Sequence, residues 1–134
     1  MKWLKWPTCL APLVLLGLAG CAGAPLKDGT YPLQPYQRVA LSGDTTLTYD
    51  SFSDSRCPAN AHCIWAGRLS FQFVLEGPGG REEFSLGPDQ PSATPTSLHG
   101  ARVTLDPASI PPVRNAAATR PGYAIPVTLK VSTP

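Results

Sequence analysis

The amino-acid sequence predicts an all-β domain: a small antiparallel β-sandwich (Ig-like) or barrel of about six to seven strands with one disulfide. Three observations lead there. From about Gln37 onward, apolar residues recur with period two. Turn formers, 12 Gly and 16 Pro in 134 residues, punctuate the short runs. No stretch carries a sustained helical period. One apolar face and one wet face is what an antiparallel sheet shows when it covers a core on one side only.

The runs follow in order. Val39 and Leu41 alternate with Ala40 and Ser42, and Leu47 and Tyr49 with Thr46, Thr48 and Asp50. The longest alternation is Arg68 to Glu76. It places Leu69, Phe71, Phe73 and Leu75 on one face, with Ser70, Gln72, Val74 and Glu76 on the wet one. Phe84 and Leu86 follow Glu82 and Glu83. Ala101, Val103 and Leu105 form the next run, and Val127, Leu129 and Val131 the last. Ala116-Ala117-Ala118 allows a turn of helix and no more. Gly77-Pro78-Gly79-Gly80 reads as a hairpin turn, and the polar, Pro-rich residues 87–96 as a surface loop. Residues 107–121 form a long loop with Pro107, Pro111, Pro112 and Pro121. Loops of this length are uncommon in small domains, so two readings stand: a functional loop, or a Pro-stiffened crossover between sheets.

Residues 1–20 have a different character. Lys2 and Lys5 precede an uncharged apolar run from Cys9 to Ala19. That is the order of a signal peptide, and the run is near half the length of about 20 residues that a spanning helix needs. It ends in Leu18-Ala19-Gly20-Cys21, which resembles the lipobox of bacterial lipoproteins. The resemblance implies cleavage before Cys21, diacylglyceryl transfer to its thiol, and anchoring to membrane lipid by two or three acyl chains, enough for stable attachment. Ala22 follows the cysteine where Asp would retain such a protein in the inner membrane, so the outer membrane is favoured. The chain then divides into a signal peptide (1–20), a lipidated tether rich in Gly and Pro (21–36) and a β-domain (37–134).

Removing residues 1–20 also removes two of the eleven basic residues, so the remainder balances the nine acidic ones. No basic stripe is present for nucleic acid. With Cys9 removed and Cys21 lipidated, Cys57 and Cys63 form one possible pair in an oxidising compartment. A loop this short gains roughly 2–2.5 kcal/mol from closure in the chain-entropy model.

The cysteines lie in Asp54-Ser55-Arg56-Cys57-Pro58 and in Cys63-Ile64-Trp65-Ala66-Gly67. The segment resembles one shared by a group of small exported bacterial lipoproteins and hypothetical proteins. In them an Asp-Ser-Arg-Cys-Pro stretch precedes a second cysteine, then Trp-Ala-Gly and an alternating strand. The resemblance implies fold and compartment and supplies no reaction. Read from the residues, the segment is a disulfide-closed loop between strands, with Pro58 and Asn60 suited to its turn. Asp54, Arg56, Asn60, His62 and Trp65 are the candidate binding surface. Trp65 either packs beside the disulfide, the favoured reading, or forms a ligand platform. Asp54 and Arg56, two apart on extended chain, share a face and can pair.

Other functions are less well provided for. Cys57, His62, Cys63 and His99 are the available ligands for copper or zinc, and a disulfide would consume two of them. No Gly-x-Ser-x-Gly or His-Glu-x-x-His motif is present, and the neighbours Glu82 and Glu83 point to opposite faces of a strand. Gly77-Pro78-Gly79-Gly80 and Arg120-Pro121 resemble two loops of small β-sandwich inhibitors of cysteine proteases, whose Asn-Pro-Thr-Thr-Gly loop has no counterpart here. The expectation is a non-catalytic envelope module without cofactor or metal. It would bind an envelope protein or glycan, with protease inhibition or metal binding as alternatives.

Overall fold

The computed structural model describes residues 24–114 and 123–134. Its alternating runs become two four-stranded antiparallel sheets. One has the order β1 (Gly29–Leu33), β8 (Val127–Ser132), β7 (Arg102–Leu105), β6 (Ser92–Ala93). The other has the order β2 (Arg38–Ala40), β3 (Thr46–Asp54), β4 (Leu69–Gly77), β5 (Gly80–Leu86). Two separate sheets make this a sandwich rather than a barrel, with eight strands among the described residues.

The period-two pattern accounts for the core. Leu47, Tyr49, Phe71, Phe73 and Leu75 line the inner face of β3 and β4, and Val103, Leu105, Val127, Leu129 and Val131 line the opposing sheet, each at most 1% exposed. Tyr49 packs edge-on to Phe71 at 6.0 Å between ring centroids and 5.3 Å from Phe73, which stacks on Phe84 at 5.4 Å. Truncating any such ring to alanine costs about 3–5 kcal/mol. The Tyr49 hydroxyl donates to the Ile125 carbonyl at 2.9 Å, so its polar tip is satisfied where it is buried. On the edge strand β5, Glu82 accepts the backbone N–H groups of Thr96 (2.9 Å) and Ser97 (2.8 Å), fastening the 3-10 turn Thr96–Leu98.

Several expectations need correction. Residues 29–33 were expected within the tether, yet they form β1, paired with β8 from Gly29 opposite Val131 to Leu33 opposite Val127. Pro32 hid this strand, but β1 is an edge strand, where a missing N–H is tolerated. Val74, expected on the wet face, is buried because β4 is an inner strand flanked by Thr48 and Glu83. The Pro-rich connection 107–121 is not a link from one sheet to the other: the strands it joins, β7 and β8, are direct neighbours in one sheet. Its first part forms a short 3-10 turn, Pro107–Ser109, capped by Asp106, whose Oδ1 accepts from the Ala108 N–H at 2.9 Å. Ala116–Ala118 lie outside the described residues.

The strand directions give the domain two ends. At the entry end lie Ala24, whose carbonyl accepts from the Gly43 N–H, the β4–β5 turn and Thr133, bonded to Asp28. From Thr46 at that end, β3 runs roughly 25 Å to Asp54 at the far end.

Candidate functional site

One irregularity in β3 builds the far end. The β3–β4 register shifts between Tyr49 and Ser51, so Asp50 is an extra residue. A bulge of this kind reverses side-chain parity. Phe52 opposite Phe71 and Asp54 opposite Leu69 therefore join Tyr49 on the inner face. The ladder continues past Asp54: the Ser55 N–H donates to Arg68 O (2.9 Å) and the Cys57 N–H to Ala66 O (3.1 Å). The Ser55 hydroxyl donates to Arg68 O and accepts the Arg68 N–H. Gly67, at φ +71°, allows the return strand to pass the Ser55 carbonyl at a separation no side chain permits.

The disulfide closes the tip. Cys57 and Cys63 are bonded, with their Cα atoms 5.7 Å apart, as the sequence reading expects. Asp54 and Arg56 also pair, in a two-pronged fork: Nε to Oδ1 and Nη2 to Oδ2, both 2.8 Å, and both side chains less than a fifth exposed. The third guanidinium nitrogen of Arg56, Nη1, donates to Pro111 O at 3.0 Å, and the Ala59 N–H donates to Arg114 O at 3.2 Å. The connection after β7 thus reaches across the end of the sandwich and docks on the disulfide hairpin. Hydrogen bonds from the Arg56 side chain hold the Asp54 carboxyl below the usual carboxylate range, against a partial desolvation that would raise it.

Trp65 does not pack beside the disulfide, contrary to the favoured expectation. It is 81% exposed, and its neighbour Ile64 is 95% exposed. With Cys57 and Ala66 committed to the ladder, both apolar side chains project from the hairpin tip. Asn60 and His62 are exposed on the same loop.

Beside the tip is a cleft of about 150 Å³ lined by Phe52, Asp54, Arg56, Pro58, Val113, Arg114 and Tyr123. Tyr123 meets Phe52 edge-on at 6.0 Å, and the Arg114 guanidinium lies 4.6 Å from the centre of the Tyr123 ring. The sequence reading names neither Arg114 nor Tyr123. The only available signal is the length of the Pro-rich connection 107–121, which carries Arg114 and ends two residues before Tyr123. A larger cavity, about 420 Å³, lies at the entry end and is lined in part by the chain's own Ala24, Pro25 and Leu26. Of the sequence candidates it includes His99 and Gly77–Gly79 but none of Asp54, Arg56, Asn60, His62 and Trp65, and its carboxylate Asp44 is engaged by Ser42 and Thr45.

The remaining sequence candidates are not brought together. His99 ends the 3-10 turn at the entry end, away from His62, and the two cysteines are bonded to each other. The set Cys57, His62, Cys63 and His99 therefore does not converge. Among the described residues no group of three or more His, Cys, Asp or Glu converges as metal ligands. Glu82 caps the 3-10 turn while Glu83 pairs with Arg81 at 2.9 Å, the opposite-face arrangement expected of neighbours. Gly77–Gly80 turn at the entry end; Arg120, Pro121 and Cys21 lie outside the described residues. No family model matches the chain, and neither a curated protein nor a solved structure matches it.

Proposed function

We propose that this chain is a membrane-anchored lipoprotein of the bacterial cell envelope whose β-sandwich is a non-catalytic binding module. Its contact surface is the disulfide-closed tip that carries Ile64 and Trp65. The observation behind this reading is that a domain with a well-filled core leaves a tryptophan 81% exposed on a covalently closed loop. Large exposed aromatics on constrained loops are typical contact anchors, and the disulfide lowers the ordering cost of binding. The chain enters the fold at the end opposite that loop, three residues after Cys21 at Ala24. An acyl anchor on Cys21 would therefore direct the tip away from the bilayer. The outer membrane is the favoured location, on the strength of Ala22.

Metabolic labelling with a fatty acid should mark the wild-type chain and not Cys21→Ser. Purification from membranes should bring down a recurrent envelope component that Trp65→Ala loses while keeping its sheet content. A wild-type chain that takes no lipid would overturn the anchor. A Trp65→Ala chain that keeps every companion would overturn the contact surface.

A further inference from the structure

The cleft beside the tip carries a specific charge imbalance. Two guanidinium groups, Arg56 and Arg114, and one carboxylate, Asp54, line it. Asp54 and Arg56 satisfy each other through both prongs of their fork. Among the described residues Arg114 has no such carboxylate partner. All nine acidic residues of the chain lie among the described residues, and the ion pairs there involve Arg38, Arg56, Arg68 and Arg81. Arg114 instead lies over the Tyr123 ring, 4.6 Å from its centre, an attraction that leaves the guanidinium charge without a carboxylate. Val113 (39% exposed), Ile64 and Trp65 provide apolar surface on the same end of the domain. The Ala59–Arg114 and Cys57–Ala66 backbone bonds tie these residues to one frame.

We propose that this cleft receives an acidic side chain of a protein partner, paired with Arg114, while Ile64, Trp65 and Val113 cover an apolar patch next to that acid. The proposal rests on the reading of the tip as a contact surface and adds the chemistry of the occupant. A volume of about 150 Å³ suits one side chain rather than a small-molecule ligand. A neutral glycan would leave the Arg114 charge unmatched and the largely exposed Ile64 beside Trp65 uncovered. An anionic bilayer gains about 1 kcal/mol per basic residue near its surface. The other basic groups here are already matched, Arg56 by Asp54 and Arg68 by Asp89. Trp65, Tyr123 and Arg114, at one end of the domain, are of the residue types that dominate protein contacts.

The test uses the full chain in cells that make it, with benzoylphenylalanine in place of Val113 or, separately, of Ile64. Irradiation should link both to the same protein, at a peptide with Asp or Glu within a few residues of the attachment point. Arg114→Gln should lower the Val113-position adduct roughly ten-fold or more, and Arg114→Glu should recover it when the partner's acid is changed to lysine. Arg114 is exposed and its backbone carbonyl is retained, so an unchanged melting curve confirms that these variants fold. An adduct only to lipid or only to glycan, or a yield unchanged in Arg114→Gln, would overturn the proposal. If the Ile64 position still marks a protein in that last case, the binding-module reading survives and only the acidic occupant is wrong. If neither position marks a protein, both readings fall.

Discussion

Gly67 faces the Ser55 carbonyl so closely that a β-carbon on the glycine would overlap that oxygen and lie 2.9 Å from the Arg56 Cα. The glycine also holds a φ of +71°. Space and dihedral therefore both demand glycine at the point where the return strand leaves the disulfide tip. Gly67→Ala is expected to cost at least about 2 kcal/mol in urea unfolding. Gly79→Ala, whose β-carbon would meet nothing within 4 Å, should stay within about 0.5 kcal/mol. Equal costs at the two positions would remove the argument.

Tyr49→Phe isolates the buried hydroxyl. The ring keeps its contacts with Phe71 and Phe73, and the Ile125 carbonyl loses its donor. A loss of about 1–3 kcal/mol is expected, the cost of an unsatisfied buried acceptor. Burial pushes the Tyr49 phenol well above its ordinary pKa. The native protein should accordingly show one tyrosine that fails to ionise in an alkaline absorbance titration until the fold is lost.

Acid should weaken the fold in a defined window. Asp54 is held below its usual pKa by hydrogen bonds from Arg56, and Asp28 by hydrogen bonds from the backbone and then the side chain of Thr133. A carboxyl with a lowered folded pKa stabilises the fold fully above its unfolded value, and that contribution disappears as pH falls through the folded value. Stability should be level between about pH 8 and pH 5 and decline below about pH 4. Asp54→Asn should flatten part of that decline in denaturation midpoints taken across the range.

The Cys57–Cys63 bond closes a loop that two backbone hydrogen bonds already hold, Ser55 to Arg68 and Cys57 to Ala66. The Cys57→Ser, Cys63→Ser double variant should keep its circular dichroism and lose roughly 2–2.5 kcal/mol. Collapse of the sheet signal would show that the bond holds more than the tip.

These tests also mark what was legible in the sequence. Six of the strands stood out because their inward residues are large and strictly alternate, as at Phe71, Phe73 and Leu75. β1 did not, because Pro32 interrupts it and an edge position cannot be read from one strand alone. β6 has only two residues, too few to show a period. The Asp54–Arg56 pair and the disulfide were legible because both depend on partners a few residues away. The position of Trp65 was not, since a ring beside a disulfide can turn either way and only the hairpin register decides it. Arg114 and Tyr123 were invisible for a related reason. They meet Ala59 and Phe52 across more than fifty residues of chain, and the bulge at Asp50 that turns Phe52 inward has no pattern of its own.

Display of Trp65 is the central claim, and its fluorescence tests it most directly. With residues 1–20 removed, Trp65 is the only tryptophan in the chain. The account predicts red-shifted emission and acrylamide quenching close to that of free tryptophan, unchanged in Val113→Ala and Arg114→Gln. A blue-shifted emission shielded from acrylamide in the native protein, and released only on unfolding, would contradict it.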